Sequence, residues 1–347
     1  MTGLVLAGGG VKGSYQIGSY LAFKKCGIKI DGVVGTSIGS FNAALIASGK
    51  EKELYEFWKN VNVGELLDFS DKYTKSVNNK ETFKKLIFGI EEFTNILKNR
   101  GIKQDNLIEI LDDMIDEDLI RHSNMDFGLC TVRLNDLKPL YLFKEDMIKG
   151  RITEYILASC NLPVFKSKKL IDNKRYIDGG FYDNKPINML INKGYNKIYS
   201  IEVHGIGLSR KVKDESKITR ITPSRFVGST LNVDKDKIND NIKLGYYDTL
   251  KVLKELDGYN FIFKKHNNML YNRLIKKVDS NLYDKCKKYF KAKNNKELVL
   301  LAIEYILNKE NLTYYNVYNV RKIIKYIKKN TNNNHFVYEF VKSLKMF

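Results

Sequence analysis

The sequence predicts an α/β protein with a mainly parallel central sheet, helices on both of its faces, and a helical C-terminal region. Three observations predict this. The first fifty residues alternate short apolar runs with helical patterns, glycines stand where those helices would end, and beyond residue 207 long helical runs rich in Lys, Asn and Tyr take over. Strands alternating with helices imply parallel pairing, since each crossover helix carries the chain back to the end of the sheet at which the preceding strand began.

Taken in order, LVLA reads as the first strand, followed by a helix over about 14–26. IKIDGVV reads as the second strand and leads into a helix over about 38–48. Gly27 and Gly49 close the two helices, where a left-handed residue is favoured. Residues 51–118 are helical and acidic, and their most apolar part, FKKLIFGIEEFTNIL at 83–97, is read as core packing, with a cover over a lipid-binding cleft as the alternative. Strand signals return at DFGLCTVRL, PLYLF, KRYIDGG and NKIYSIEVHG, and between them ITEYILASCNLP reads as a helix stopped before Pro163. The expected division is a catalytic domain over 1–207 and a helical, basic region over 208–347.

The chain of 347 residues is long enough for a sizeable core, and 43% hydrophobic residues with only four prolines argue against disorder. The four cysteines, Cys26, Cys130, Cys160 and Cys286, form neither a C-x-x-C motif nor a disulfide framework, so they are expected reduced in a cytoplasmic protein. No secretory signal is read at the N-terminus, and no apolar run approaches the roughly 18 residues of a spanning helix. Net charge is +19, distributed as −1 over residues 1–150 and +20 over 151–347. Such a basic half suits an anionic lipid surface; nucleic acid is not expected, because no nucleic-acid module accompanies the charge. The alternative is a Lys-rich bias of composition with no partner behind it. The acidic run DDMIDED at 112–118 lacks the spacing and glycine of an EF-hand, so no metal is expected.

Two glycine motifs carry the functional signal. In LVLAGGGVKGSYQIGSYLAF, residues 4–23, Gly8, Gly10 and Gly13 fit a dinucleotide fingerprint with Asp31 as a ribose-binding acid; the same loop could instead aim amides at an oxyanion. The second motif, G-x-S-x-G at Gly35, Ser37 and Gly39, lies between an apolar strand and a helix. That context makes a sharp turn presenting a serine at a helix N-terminus, where free N–H groups favour negative charge. A serine needs a base. His204, after a strand-like YSIEVH, would complete the order Ser37, Asp178, His204 of a triad, and Asp178 acting directly is the other candidate.

Together the blocks resemble the patatin-like phospholipases. The family's G-G-G-x-R/K-G appears as Gly8, Gly9, Gly10, Val11, Lys12 and Gly13, its elbow as Gly35, Thr36, Ser37, Ile38 and Gly39, and its D-G-G as Asp178, Gly179 and Gly180. A fourth block appears as Ala158, Ser159, Pro163 and Phe165, so the resemblance covers residues 3–205. It implies a Ser–Asp dyad in which Asp178 takes the proton of Ser37. It also implies an oxyanion hole formed by the loop of Gly8, Gly9, Gly10, Lys12 and Gly13, support of the elbow by Gly35 and Gly39, and support of the base by Gly179 and Gly180. Lys12, standing where many relatives carry Arg, keeps the charge but loses bidentate contacts. The implied activity is cleavage of fatty acyl esters of phospholipids or lysophospholipids without calcium or another cofactor, in a chain of bacterial character. Acyl transfer to an alcohol through the same dyad, or membrane binding with a vestigial or activator-dependent site, are the competing expectations.

Overall fold

A computed structural model describes residues 1–61, 105–162, 169–230 and 235–346. The chain divides into two compact units, Met1–Asp248 and Thr249–Phe347.

The first unit is built on a seven-stranded sheet. β1 (Thr2–Leu6), β2 (Gly32–Thr36), β3 (Asp126–Arg133), β6 (Lys197–Ile201) and β7 (Ile218–Ile221) run parallel, while β4 (Lys138–Phe143) and β5 (Tyr176–Asp178) pair antiparallel with β3. The spatial order is β4-β3-β2-β1-β6-β7, with β5 added to β3. Alternate side chains of the central strands face opposite layers. Val5, Val34 and Ile198 pack with Leu190 of α7 (Ile187–Asn192), whereas the adjacent Tyr199 meets Phe23 of α1 (Ser14–Lys25) edge to face at 4.8 Å. Both faces are therefore covered, as the near-continuous apolar strands predict.

Between the strands lie α2 (Ile38–Ala47), α3 (Glu51–Asn60), α4 (Asp105–Met114), α5 (Glu117–His122) and α6 (Ile152–Ser159). The acidic run at 112–118 has structural uses. Asp116 caps α5 by accepting from Leu119 N, and Glu117 pairs with Arg121 and accepts from Gly150 N and Ile152 N. The apolar segment 83–97, Pro163 and Phe165 lie outside the described residues.

The division between units falls later than the expected boundary at 207, for two reasons. Ile218–Ile221, read from sequence within a helical region, forms β7 and extends the sheet beside β6. In addition, the first part of α8 (Lys235–Leu253) is tied into the first unit: Asn241 donates to Val227 O, and Asp248 accepts from Tyr15 and from Ser224 N.

The second unit is helical, as expected, with α9 (Asn268–Leu274), α10 (Ser280–Phe290), α11 (Asn295–Lys309), α12 (Val320–Asn330) and α13 (Phe336–Ser343) around their own core, and a short parallel pair, β8 (Ile262–Phe263) and β9 (Val317–Tyr318). Buried Glu304 is satisfied by the N–H groups of Tyr259, Asn260 and Phe261. On α12 the residues Val320, Ile323, Ile324 and Ile327 are buried, which leaves Arg321, Lys322, Lys325 and Lys329 outward.

Candidate active site

The chain leaves β2 at Thr36 and enters α2 at Ile38, so a single residue, Ser37, makes the turn. Its backbone stands at φ 55°, ψ −133°, a strained conformation for a residue with a side chain. Three hydrogen bonds hold it there: Ser37 N donates to Ser159 Oγ at 2.9 Å, while Ser37 O accepts from Ser40 N at 2.7 Å and from Ser40 Oγ at 2.6 Å. The flanking glycines allow the tight approach. A Cβ on Gly35 would stand 2.2 Å from Gly39 O, and one on Gly39 2.1 Å from Leu6 O.

Asp178 ends β5 and is buried. Its N–H donates to Asn161 O, and its Oδ1 accepts from Gly180 N at 2.7 Å. Oδ2 is enclosed without a partner in hydrogen-bonding geometry, although the Ser37 hydroxyl is near enough to favour the carboxylate. The pair is thus adjacent but loosely aligned, as catalytic hydrogen bonds often are before substrate binds. Burial pushes the carboxyl up to about 6, with the Ser37 hydroxyl and the Gly180 N–H opposing the rise. Such a group is ionised at neutral pH yet basic enough to take a proton.

The glycine loop lies against the elbow: a Cβ on Gly8 would stand 3.2 Å from Ser37 Cβ. Most of its amides are already used. Gly8 N donates to Asn184 O while Asn184 Nδ2 donates to Gly8 O, Val11 N donates to Thr230 O, and Lys12 N donates to Gly9 O. Gly9 N and Gly10 N have no acceptor among the described residues. The Lys12 side chain is buried, and its ammonium donates to the His204 carbonyl at 2.9 Å. Behind the loop runs a buried polar chain: Trp58 Nε1 donates to Asn42 Oδ1, Asn42 Nδ2 to Gln16 Oε1 and to Gly13 O, and Gln16 Nε2 to Ala7 O.

Ser37, Asp178 and the glycine loop are therefore brought together from positions up to 170 residues apart in sequence. His204 does not join them. It is exposed at φ 51°, its ring makes no hydrogen bond among the described residues, and only its carbonyl is used. Asp31 precedes β2 and accepts from Thr2 N, at the opposite end of the sheet from the glycine loop, so it cannot serve a ligand held by Gly8, Gly10 and Gly13. Among the described residues no cluster of three or more His, Cys, Asp or Glu is arranged to hold a metal ion.

Sequence reasoning missed Asn184, which follows the D-G-G block by four residues. It also missed the Ser159 hydroxyl, Asn42, Thr230 and the loop after β6. Ser159 and Asn184 had a signal, since each lies in or beside a motif; the others had none.

The model of the patatin-like phospholipase family matches residues 4–191. Curated relatives include the lysophospholipase nte1 of Aspergillus terreus, 27% identical over 206 residues, and the lysophospholipase NTE1 of Yarrowia lipolytica, 28% identical over 205. Each alignment covers 59% of this chain but only 12% and 13% of the respective relative, so the chain spans about an eighth of their length. Among solved structures, VipD from Legionella pneumophila aligns at 15% identity with a TM-score of 0.47, covering 98% of this chain and 83% of VipD. The type III effector ExoU aligns at 14% and 0.37, covering 98% of this chain and 70% of ExoU.

Proposed function

Because the chain belongs to the patatin-like phospholipase family, we propose that it hydrolyses fatty acyl esters of phospholipids or lysophospholipids through an acyl-Ser37 intermediate. The observation that carries this is the unpartnered Oδ2 of Asp178, buried beside the hydroxyl of a serine held on a strained elbow. In this reading Asp178 takes the proton of Ser37 as Oγ attacks the ester carbonyl, then returns it to the departing alcohol. Water attacks the acyl-serine in the second half, with Asp178 accepting its proton and returning it to Ser37 Oγ as the Oγ–acyl bond breaks and the fatty acid leaves.

The carbonyl oxygen becomes anionic in both halves, and the amides of Gly9 and Gly10 are the donors available to it. Each such donor supplies roughly 2.7–4 kcal/mol in acyl transfer. Lys12 then acts by holding the loop through the His204 carbonyl. Lysophospholipids are the first substrates to try, since the curated relatives are named for them.

No helix among the described residues is long and apolar enough to cross a membrane, and we read the lipid as being met at a surface. Residues 251–347 carry 21 Lys+Arg against 8 Asp+Glu, and the outward lysines of α12 are a suitable contact for anionic headgroups. The apolar side of that helix is occupied within its own unit, so this contact would be electrostatic and salt-sensitive.

The test is acyl release from lysophospholipid, phospholipid and triacylglycerol in chelator, comparing the native chain with Ser37→Ala, Asp178→Asn and His204→Ala. Release lost in the first two and kept in the third supports the dyad. A severe His204→Ala defect in a folded variant overturns it.

A further inference from the structure

The segment after β6, residues 204–211, has a main chain fixed to both halves of the site and apolar side chains left in water. Leu208 N donates to Gly180 O at 2.9 Å, and Leu208 O accepts from Asn184 N at 2.7 Å, so the loop is laddered onto the base loop. On the other side His204 O takes the Lys12 ammonium, and Gly205 lies so close to the glycine loop that a Cβ there would stand 1.9 Å from Gly8 O. Nevertheless Ile206 is 39% exposed and Leu208 48%.

Isolated exposed apolar residues are ordinary on protein surfaces. Here a second segment repeats the arrangement: Phe226 is 79% exposed, on the stretch whose Thr230 carbonyl takes Val11 N. Both segments touch the same glycine loop, one at Gly8 and the other at Val11. The apolar pair is followed, after Ser209, by Arg210 and Lys211, and residues 204–213 contain no acid. Arg210 is itself set in place, with its guanidinium 3.5 Å over the Tyr182 ring and Nε donating to Tyr182 O. Apolar side chains beside outward cations match the layering of an anionic bilayer, with hydrocarbon below phosphate.

We propose that residues 204–211, helped by Phe226, form the surface by which this protein docks on an anionic lipid bilayer. Ile206 and Leu208 enter the headgroup layer, and Arg210 and Lys211 lie against lipid phosphates. Because the loop is bonded to Gly180 and clamped to Gly8, docking seats the bilayer over Ser37 and lets an ester bond reach it without the lipid crossing water. The proposal rests on the lipid-ester reading above for its purpose, but not for its binding test.

That test uses the full chain carrying Ser37→Ala, sedimented with vesicles of phosphatidylcholine mixed with phosphatidylglycerol, and of phosphatidylcholine alone. Ile206→Ser with Leu208→Ser should lower the partition coefficient on mixed vesicles about tenfold or more. Lys211→Gln should lower it by about fivefold on mixed vesicles and leave it unchanged on phosphatidylcholine alone. Phe226→Ser, on a different segment, should weaken binding to both.

In the active chain the double serine variant should lower the ratio of turnover on vesicles to turnover on dissolved p-nitrophenyl butyrate by a similar factor. Unchanged partition of the double variant and of Phe226→Ser, at unchanged melting temperature, overturns the proposal. A native chain that cleaves the dissolved ester through Ser37 but releases nothing from any lipid refutes the lipid-ester reading instead, and the binding series still decides the docking surface by itself.

Discussion

Thr36 and Asp178 occupy consecutive places along one edge of β3, Thr36 opposite Cys130 and Asp178 opposite Thr131. β4 takes the other edge over Gly128–Arg133, so β5 continues the edge that β2 vacates. Ser37, the residue after Thr36, therefore meets Asp178 because β3 works as a ruler that passes from one partner strand to another. Hydrogen-bond register, rather than loop packing, sets the distance between Ser37 and Asp178.

A ruler of this kind makes the length of the base matter as much as its charge. Asp178→Glu keeps a carboxylate but carries it one methylene further into an enclosed space. We expect a loss of roughly a hundredfold or more in kcat, as for a misplacement of about 1 Å. Retention of most activity in esterase assays would show that register is not what positions the base.

The pH profile should report the buried carboxyl. Burial raises Asp178 to about 6, and only its ionised form can accept the Ser37 proton. Thus kcat/KM should rise about tenfold per pH unit up to a bend near 6 and be level above it. His204→Ala should leave the bend in place, and a bend that disappears with the histidine would assign the base to the ring.

The same group should cost stability. A carboxyl whose folded value stands above the ordinary 3.8 binds its proton more tightly in the folded chain. Its favourable contribution is complete below about 4 and is lost as pH climbs through about 6, a loss of up to about 3 kcal/mol. Asp178→Asn removes the ionisation, so it should melt above the native chain at pH 7 and level with it near pH 4. Equal melting temperatures at pH 7 would mean that the carboxylate is not paying a burial cost.

Ser159 accepts from Ser37 N and donates to Cys130 O at 2.7 Å, bridging the elbow to β3 at the place where β2 gives way to β5. It touches no substrate atom in the proposed chemistry and acts as a positioning residue. Ser159→Ala leaves one donor and one acceptor without partners, and should lower kcat by roughly ten- to a hundredfold with KM little changed. Ser159→Thr, which keeps the hydroxyl, should recover part of the rate; equal loss in both variants would reduce Ser159 to a packing role.

The parts of this site legible in the sequence were those in which one short stretch contains both the chemistry and its geometry. G-x-S-x-G between an apolar run and a helical one specifies the elbow locally, because the glycines answer contacts only a few residues away. Asp178 was legible as a candidate base only beside the other motifs, since an isolated D-G reads as a turn. The supporting groups were not legible: Ser159 meets Ser37 across 122 positions and Lys12 meets the His204 carbonyl across 192. Register between distant strands decides those encounters, and no local periodicity encodes it. The short Ile218–Ile221 strand was not legible for a related reason, because it gains its identity only by pairing with β6.

The chain of amides behind the glycine loop gives the last prediction. Asn42 is fully buried and joins three elements at once: it accepts from Trp58 of α3, and it donates to Gln16 of α1 and to the Gly13 carbonyl that opens α1. Gln16 in turn holds the Ala7 carbonyl, immediately before the glycines. Asn42→Ala strands the indole N–H and the Gln16 amide oxygen in a space closed to water, which should cost about 2–4 kcal/mol of stability. Asn42→Asp can accept from Trp58 but cannot donate to Gln16, so it should rescue little. Because the loop is anchored through Ala7 and Gly13, surviving Asn42→Ala protein should also be phosphonylated more slowly at Ser37 by a fluorophosphonate. A variant that melts lower but is labelled at the native rate would show that the chain supports the fold without holding the amides of Gly9 and Gly10 in place.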